Sequence, residues 1–154
     1  MEIEMEVAGV AMYDDDAVLL LRARTGGGFL LIEVTSAEAQ LIQLRLENVR
    51  TRRPLTHTLM LKIIEDLGAK LAKVVMNELK DGFVHAQLCL NAKQRPMMID
   101  ARPSDAITLA IEANAPICAD ESLFVALAAA REKASHAEMK EWFTSLNPKE
   151  LDKM

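Results

Sequence analysis

The stretch Asp100-Ala101-Arg102-Pro103-Ser104-Asp105-Ala106 sets two carboxylates around an arginine and a proline. With Asp100 ending a strand and Pro103 opening a helix, one acid stands at the strand end and the other in the first helical turn. Such a corner can hold a divalent cation, Mg or Mn, on hard oxygens, and a phosphate on Arg102 and the helix N-terminus. Metal-assisted phosphodiester hydrolysis needs those parts: acidic ligands, a cation against the developing charge and an activated water. Asp100 and Asp105 are therefore expected as metal ligands or bases. A second segment, Arg53-Pro54-Leu55-Thr56-His57, adds Arg53 as a phosphate contact beside Arg102. It also adds His57 as a group that gives or takes a proton near neutral pH. The same residues have a purely structural reading. An acid at the third helical position steadies a helix by about 0.3–1 kcal/mol without any chemistry. Arg102 can clamp the corner by pairing with either aspartate, and His57 can be a hydrogen-bond partner.

The elements that position these residues follow from periodicity and turn chemistry. Residues 3–13 alternate apolar side chains with glutamates and read as a half-buried strand, and 17–24 and 29–34 read as two more. Thr35-Ser36-Ala37-Glu38 is a capping-box pattern opening a helix to about Asn48. After Arg50-Thr51-Arg52-Arg53-Pro54, Thr56 is expected to cap a second helix with Leu59, Met60, Ile63, Ile64 and Leu67 facing inward, stopped by Gly68. From Lys70 the plan repeats: strands over 70–80, 83–91 and 97–101, with a hairpin turn at Asp81-Gly82. A helix follows from Pro103 to about Asn114, then a short apolar run at Pro116–Cys118 and a helix from Glu121 to Lys133. An offset of 67 residues lays Asp14 on Asp81, Glu33 on Asp100 and Glu38 on Asp105. The expectation is an α+β fold: a duplicated β-β-β-α-α unit, its sheet packed against helices, with a C-terminal amphipathic helix over 135–146. That duplication would bring four carboxylates together. Glu38 joins the catalytic candidates and Glu33 the metal ligands.

Composition bounds the partners. The chain has 154 residues, 51% hydrophobic and 27% charged, with net charge −5 and pI near 5.2. A compact protein with that balance is no bulk polyelectrolyte binder, so contact with nucleic acid must come from a local basic cluster. Arg50, Arg52 and Arg53, joined by Arg22 and Arg24, are the available cluster. Cys89 and Cys118 are too few for a disulfide framework and read as buried free thiols. The acidic start is unlike a secretory signal, and no apolar run approaches the roughly 20 residues of a membrane span. A cytoplasmic location with no membrane partner is expected. No GxxxxGK[ST], GxGxxG or HExxH occurs, so no organic cofactor is expected. The apolar run Leu123–Ala130 gives its helix no polar face, which points to a homo-oligomer, most simply a dimer.

Together, Arg53-Pro54-Leu55-Thr56-His57, Leu79-Lys80-Asp81-Gly82-Phe83 and Asp100-Ala101-Arg102-Pro103-Ser104-Asp105-Ala106-Ile107 resemble the bifunctional nuclease domain family. The resemblance spans about residues 7–130, matching at Glu38-Ala39-Gln40, Arg53–His57 and Asp100–Asp105. It implies a family domain over 1–133, which the offset of 67 divides into pseudo-repeats 1–68 and 69–133, and the pattern beyond it reads as a C-terminal helix and tail over 134–154. It also implies a nuclease acting on RNA or DNA. The rival reading is a non-catalytic ligand- or protein-binding module whose Asp-Ala-Arg-Pro-Ser-Asp corner is structural. An aromatic content of 4% favours the rival, since single-strand binding usually uses stacking side chains.

Overall fold

The computed structural model describes residues 1–93 and 95–133. The expected helix over 135–146 and the tail to 154 lie outside the described residues. The first half of the chain is an antiparallel meander, β1 (Glu2–Tyr13), β2 (Asp16–Ala23) and β3 (Phe29–Thr35), followed by helices α1 (Ser36–Leu46) and α2 (Thr56–Asp66). The second half is another meander, β4 (Ala69–Lys80), β5 (Phe83–Ala92) and β6 (Arg95–Ala101), followed by α3 (Pro103–Ala113), β7 (Ile117–Asp120) and α4 (Glu121–Lys133). All seven strands form one sheet in the order β3-β2-β1-β7-β4-β5-β6. The protein is therefore mixed α and β, one seven-stranded sheet with four helices among the described residues.

At an offset of 67, β1 falls on β4 and α1 on α3 end for end. The second half departs from the expected unit by an extra strand, β7, where the first half has the arginine-rich, strandless segment Arg50–Arg53. Ile117, Cys118 and Ala119 are all buried, which suits a central strand covered on both faces. β7 runs antiparallel to β1 and parallel to β4, so it joins the two meanders into one sheet.

The core lies between one face of the sheet and the helices, with Met5, Leu19, Leu21, Met76 and Ile107 fully buried. α3 is its central helix: Ala106, Ile107, Leu109 and Ala110 are buried, and so are Ser104 and Thr108. The Thr108 hydroxyl donates to the Ser104 carbonyl at 2.7 Å, so that buried polar group is satisfied. α1 is tied to α3 by a largely buried ion pair, Arg45 Nε to Glu112 Oε2 at 3.0 Å. Cys89 and Cys118 are buried free thiols packed around Val75, and burial pushes both thiols above their ordinary pKa. No helix among the described residues is long and apolar enough to cross a membrane.

Two sequence expectations are corrected. Thr56 does not cap α2; Leu55 is its N-cap, without a side-chain hydrogen bond, and Thr56 is the first helical residue. Nor do Leu59, Met60, Ile63 and Leu67 face inward: all four are exposed, and Leu61 is the buried residue of the helix. α2 packs on one side only, against α3 and β4. The inward stripe is His57, Leu61 and Ile64, at the i, i+4, i+7 spacing of one helix face. The rotation that buries Leu61 also aims His57 at α3. α4 is covered on one side, where Leu123 is buried and Phe124 packs against the core, while Val125 is 70% exposed.

Candidate active site

The ends of the two edge strands, β3 and β6, reach a common cleft of about 580 Å³. β3 supplies Glu33 and the first turn of α1 supplies Glu38. The β6–α3 corner supplies Asp100, Arg102 and Ser104. The β4–β5 hairpin brings Phe83 and His85, and Leu127 of α4 closes one side. The hairpin tip is a two-residue turn in which Asp81 and Gly82 both have left-handed φ (53° and 81°), the conformation that matches strand twist.

Beside the cleft, three helix N-termini converge on one ion-pair network. Arg102 donates from Nε to Asp105 Oδ2 at 2.9 Å and from Nη2 to Asp105 Oδ1 at 3.2 Å. Its Nη1 stands 2.9 Å from Glu38 Oε1, which also accepts from the Ser104 hydroxyl at 3.3 Å. His57 Nε2 lies 2.9 Å from Asp105 Oδ1, tying α2 to the same carboxylate. Glu38 closes a capping box as well: Thr35 N–H donates to Glu38 Oε2 at 2.9 Å, and Glu38 N–H donates to Thr35 Oγ1 at 3.2 Å. Partial burial by itself would raise the Asp105 carboxyl, but the Arg102 guanidinium and the His57 ring outweigh it and hold it below its usual pKa. Asp105 raises the pKa of Arg102 in turn, chiefly through their hydrogen bonds.

The other two carboxylates stand apart from this network. Glu33 is exposed on β3. Asp100 has a side chain 79% exposed, with His85 Nδ1 3.7 Å from its Oδ1. Of the four expected acids, Glu33, Glu38 and Asp100 line the cleft, and Asp105 is joined to it through Arg102. His57 is bound to Asp105 and does not line the cleft. Arg53 does not line it either; it sits exposed in the loop before α2, its carbonyl accepting from Thr51 Oγ1 at 2.6 Å. The basic cluster is dispersed: Arg22 pairs with Glu6 and Arg24 with Glu4 on β1, while Arg50 and Arg52 line a separate depression. His85 and Ser104 were not singled out from sequence. Strand alternation gives a signal for His85, since it shares a face of β5 with Phe83, beside the Asp100 strand.

Among the described residues, no three His, Cys, Asp or Glu side chains converge to hold a cation. Both oxygens of Asp105 are engaged by Arg102 and His57, and both oxygens of Glu38 accept hydrogen bonds. The donor set as arranged does not fit a preformed Mg or Mn site.

The family model for the bifunctional nuclease domain matches residues 19–132. This is the family that the sequence motifs resemble. Two Mycobacterium tuberculosis proteins are similar to the chain: "Uncharacterized protein MT1877" of strain CDC 1551 / Oshkosh and "Uncharacterized protein Rv1829" of strain ATCC 25618 / H37Rv. Each is 34% identical over 122 residues, covering 78% of this chain and 73% of its own. Their names assign no activity.

Proposed function

The chain belongs to the bifunctional nuclease domain family, and from that membership and the cleft's geometry we propose that it hydrolyses phosphodiester bonds of RNA or DNA. The observation that carries this reading is the cleft itself, where an anchored arginine stands beside an open histidine–carboxylate pair. Of the five N–H donors of a guanidinium, Arg102 spends three on Glu38 and Asp105. The remaining two, on a side chain 66% exposed, have no partner among the described residues and can hold the nonbridging oxygens of a phosphate. Glu38, Asp105 and His57 are then positioning residues: they fix the guanidinium before substrate arrives. Asp100 faces His85 Nδ1, which leaves Nε2 as the proton acceptor. A water gives its proton to Nε2 as its oxygen forms a bond to phosphorus. The bond to the leaving oxygen breaks, and His85 returns the proton there.

A divalent cation, Mg or Mn, would find Glu33 and Asp100 as its available carboxylates. The reading treats the two halves as copies of one unit, supported by their shared element bounds, with the cleft formed where the copies meet. It also takes the chain as a dimer in the cytoplasm. Support for the dimer comes from α4, where Val125, Ala128 and Ala129 form an exposed apolar stripe beyond Glu121. Light scattering at micromolar protein should give at least twice the chain mass of 17.1 kDa, and a constant monomer would reject the dimer.

The second reading, a non-catalytic ligand- or protein-binding module, is favoured by the same network that anchors Arg102. Glu38, Asp105 and His57 are engaged with protein partners, and the free carboxylates Glu33 and Asp100 repel phosphate. The test is cleavage of RNA and DNA by the purified chain, with and without chelator, beside His85→Ala. Cleavage lost in the variant supports the hydrolase. No cleavage under any condition leaves the binding module.

A further inference from the structure

We infer that Phe83 is a stacking platform for an unpaired base, which makes single-stranded nucleic acid the substrate class of the cleft; this rests on the hydrolase reading above. Phe83 is 73% exposed at the tip of the β4–β5 hairpin and lines the cleft mouth. The Asp81-Gly82 turn fixes it there, in register with Lys80 across the hairpin. An aromatic ring left this open to water gains nothing for the fold, whereas every base has a face to lay against it.

The spacing gives the ring its place in the reaction. Phe83 and His85 lie on the same face of β5, two residues apart, a separation of about 7 Å. A base stacked on Phe83 therefore projects its sugar and phosphate along the strand toward His85, Asp100 and the free N–H groups of Arg102. Lys80, exposed opposite Phe83, offers a charge to the neighbouring phosphate outside the cleft. Duplex is disfavoured on three grounds. At about 580 Å³ the cleft is of the size of small-ligand sites. A second backbone would also lie against Glu33 and Asp100, and among the described residues Arg102 is the one arginine or lysine lining the cleft to offset it. In a paired strand, moreover, the base face that Phe83 needs is covered by its neighbours.

The experiment uses the full chain and two probes, a fluorescein-labelled oligothymidine and a labelled self-complementary hairpin. Anisotropy should show the oligothymidine bound more tightly than the hairpin. Phe83→Ala should weaken oligothymidine binding roughly tenfold and leave the hairpin unchanged. Phe83→Trp should keep the affinity, and its added emission, read against the wild type with its single Trp142, should be quenched by oligothymidine alone. Equal binding of both probes, or an unchanged affinity in Phe83→Ala, would overturn the platform. Cleavage of single strands with an unchanged KM in Phe83→Ala would overturn the platform and spare the hydrolase. Quenching without cleavage would do the reverse. A chain that binds neither probe sinks both.

Discussion

The two strand-to-helix corners begin from the same chemistry and end in different states. Each has an acid near the strand end, Glu33 or Asp100, and another at the third helical position, Glu38 or Asp105. At the first corner Thr35 caps α1, and Glu38 returns a bond to the Thr35 backbone. At the second there is no side-chain cap. Arg102 is the N-cap residue, Pro103 at the first helical position has no N–H to satisfy, and Asp105 turns to Arg102 and His57. The helix acids are thus consumed by structure in both corners, Glu38 by the Thr35 backbone together with Arg102 and Ser104, and Asp105 by side chains alone. The strand-end acids keep their oxygens open to the cleft. Position relative to a helix N-terminus, rather than residue type, decides which carboxylate holds the fold and which is available for chemistry.

Three variants sharpen or break this division. The largest effect is expected on cleavage in His85→Ala, which should lose about a hundredfold or more. Its melting temperature should hold, because among the described residues its ionic partner, Asp100, stands 3.7 Å away, beyond hydrogen-bond range; an active variant would shift the reaction away from the open pair. Next is Thr35→Ala, which removes the capping box of the first corner only. A loss of about 1 kcal/mol is expected, or roughly 2–4 °C in a thermal scan. An unchanged midpoint would mean that Ser104 and Arg102, not the cap, fix Glu38. The third variant reads the dependence on acid. A carboxyl held below its ordinary pKa contributes stability that is fully present above the unfolded value, about 3.9. That contribution disappears as pH falls through the folded value. Urea midpoints of Asp105→Asn should therefore lie below wild type near neutrality and converge on it below about pH 4. A constant difference across pH would show that Asp105 acts by shape rather than by charge.

Much of the scaffold was legible. Strand alternation, the Thr35–Glu38 capping box, the Asp81-Gly82 turn and Pro103 at a helix start are local signals, and each marks an observed boundary. β7 was harder, because a four-residue strand with three successive buried residues carries no period that separates it from other apolar segments. The face of α2 was misread for a related reason. Its apolar residues nearly encircle the helix, and only packing against α3 and β4 selects Leu61 and Ile64 over Leu59 and Ile63. In the site, Asp100, Arg102, Asp105 and Glu38 stood out by spacing along the chain. His85 and Ser104 did not, since what brings them to the acids is the pairing of β5 with β6 and the approach of α3 to α1. Contacts of that range leave little trace in neighbouring residues.

The division of labour is tested most directly by Asp100→Asn and Asp105→Asn side by side, each scored for melting temperature and for cleavage of a single-stranded substrate. Asp100→Asn should melt with the wild type and lose cleavage about tenfold or more. Asp105→Asn should melt several degrees lower, a loss of about 1–2 kcal/mol, kept modest because its partner Arg102 is two-thirds exposed. The opposite pattern, an unstable Asp100→Asn and an Asp105→Asn that melts normally but is inactive, would contradict the assignment of the helix acids to structure and the strand-end acids to chemistry.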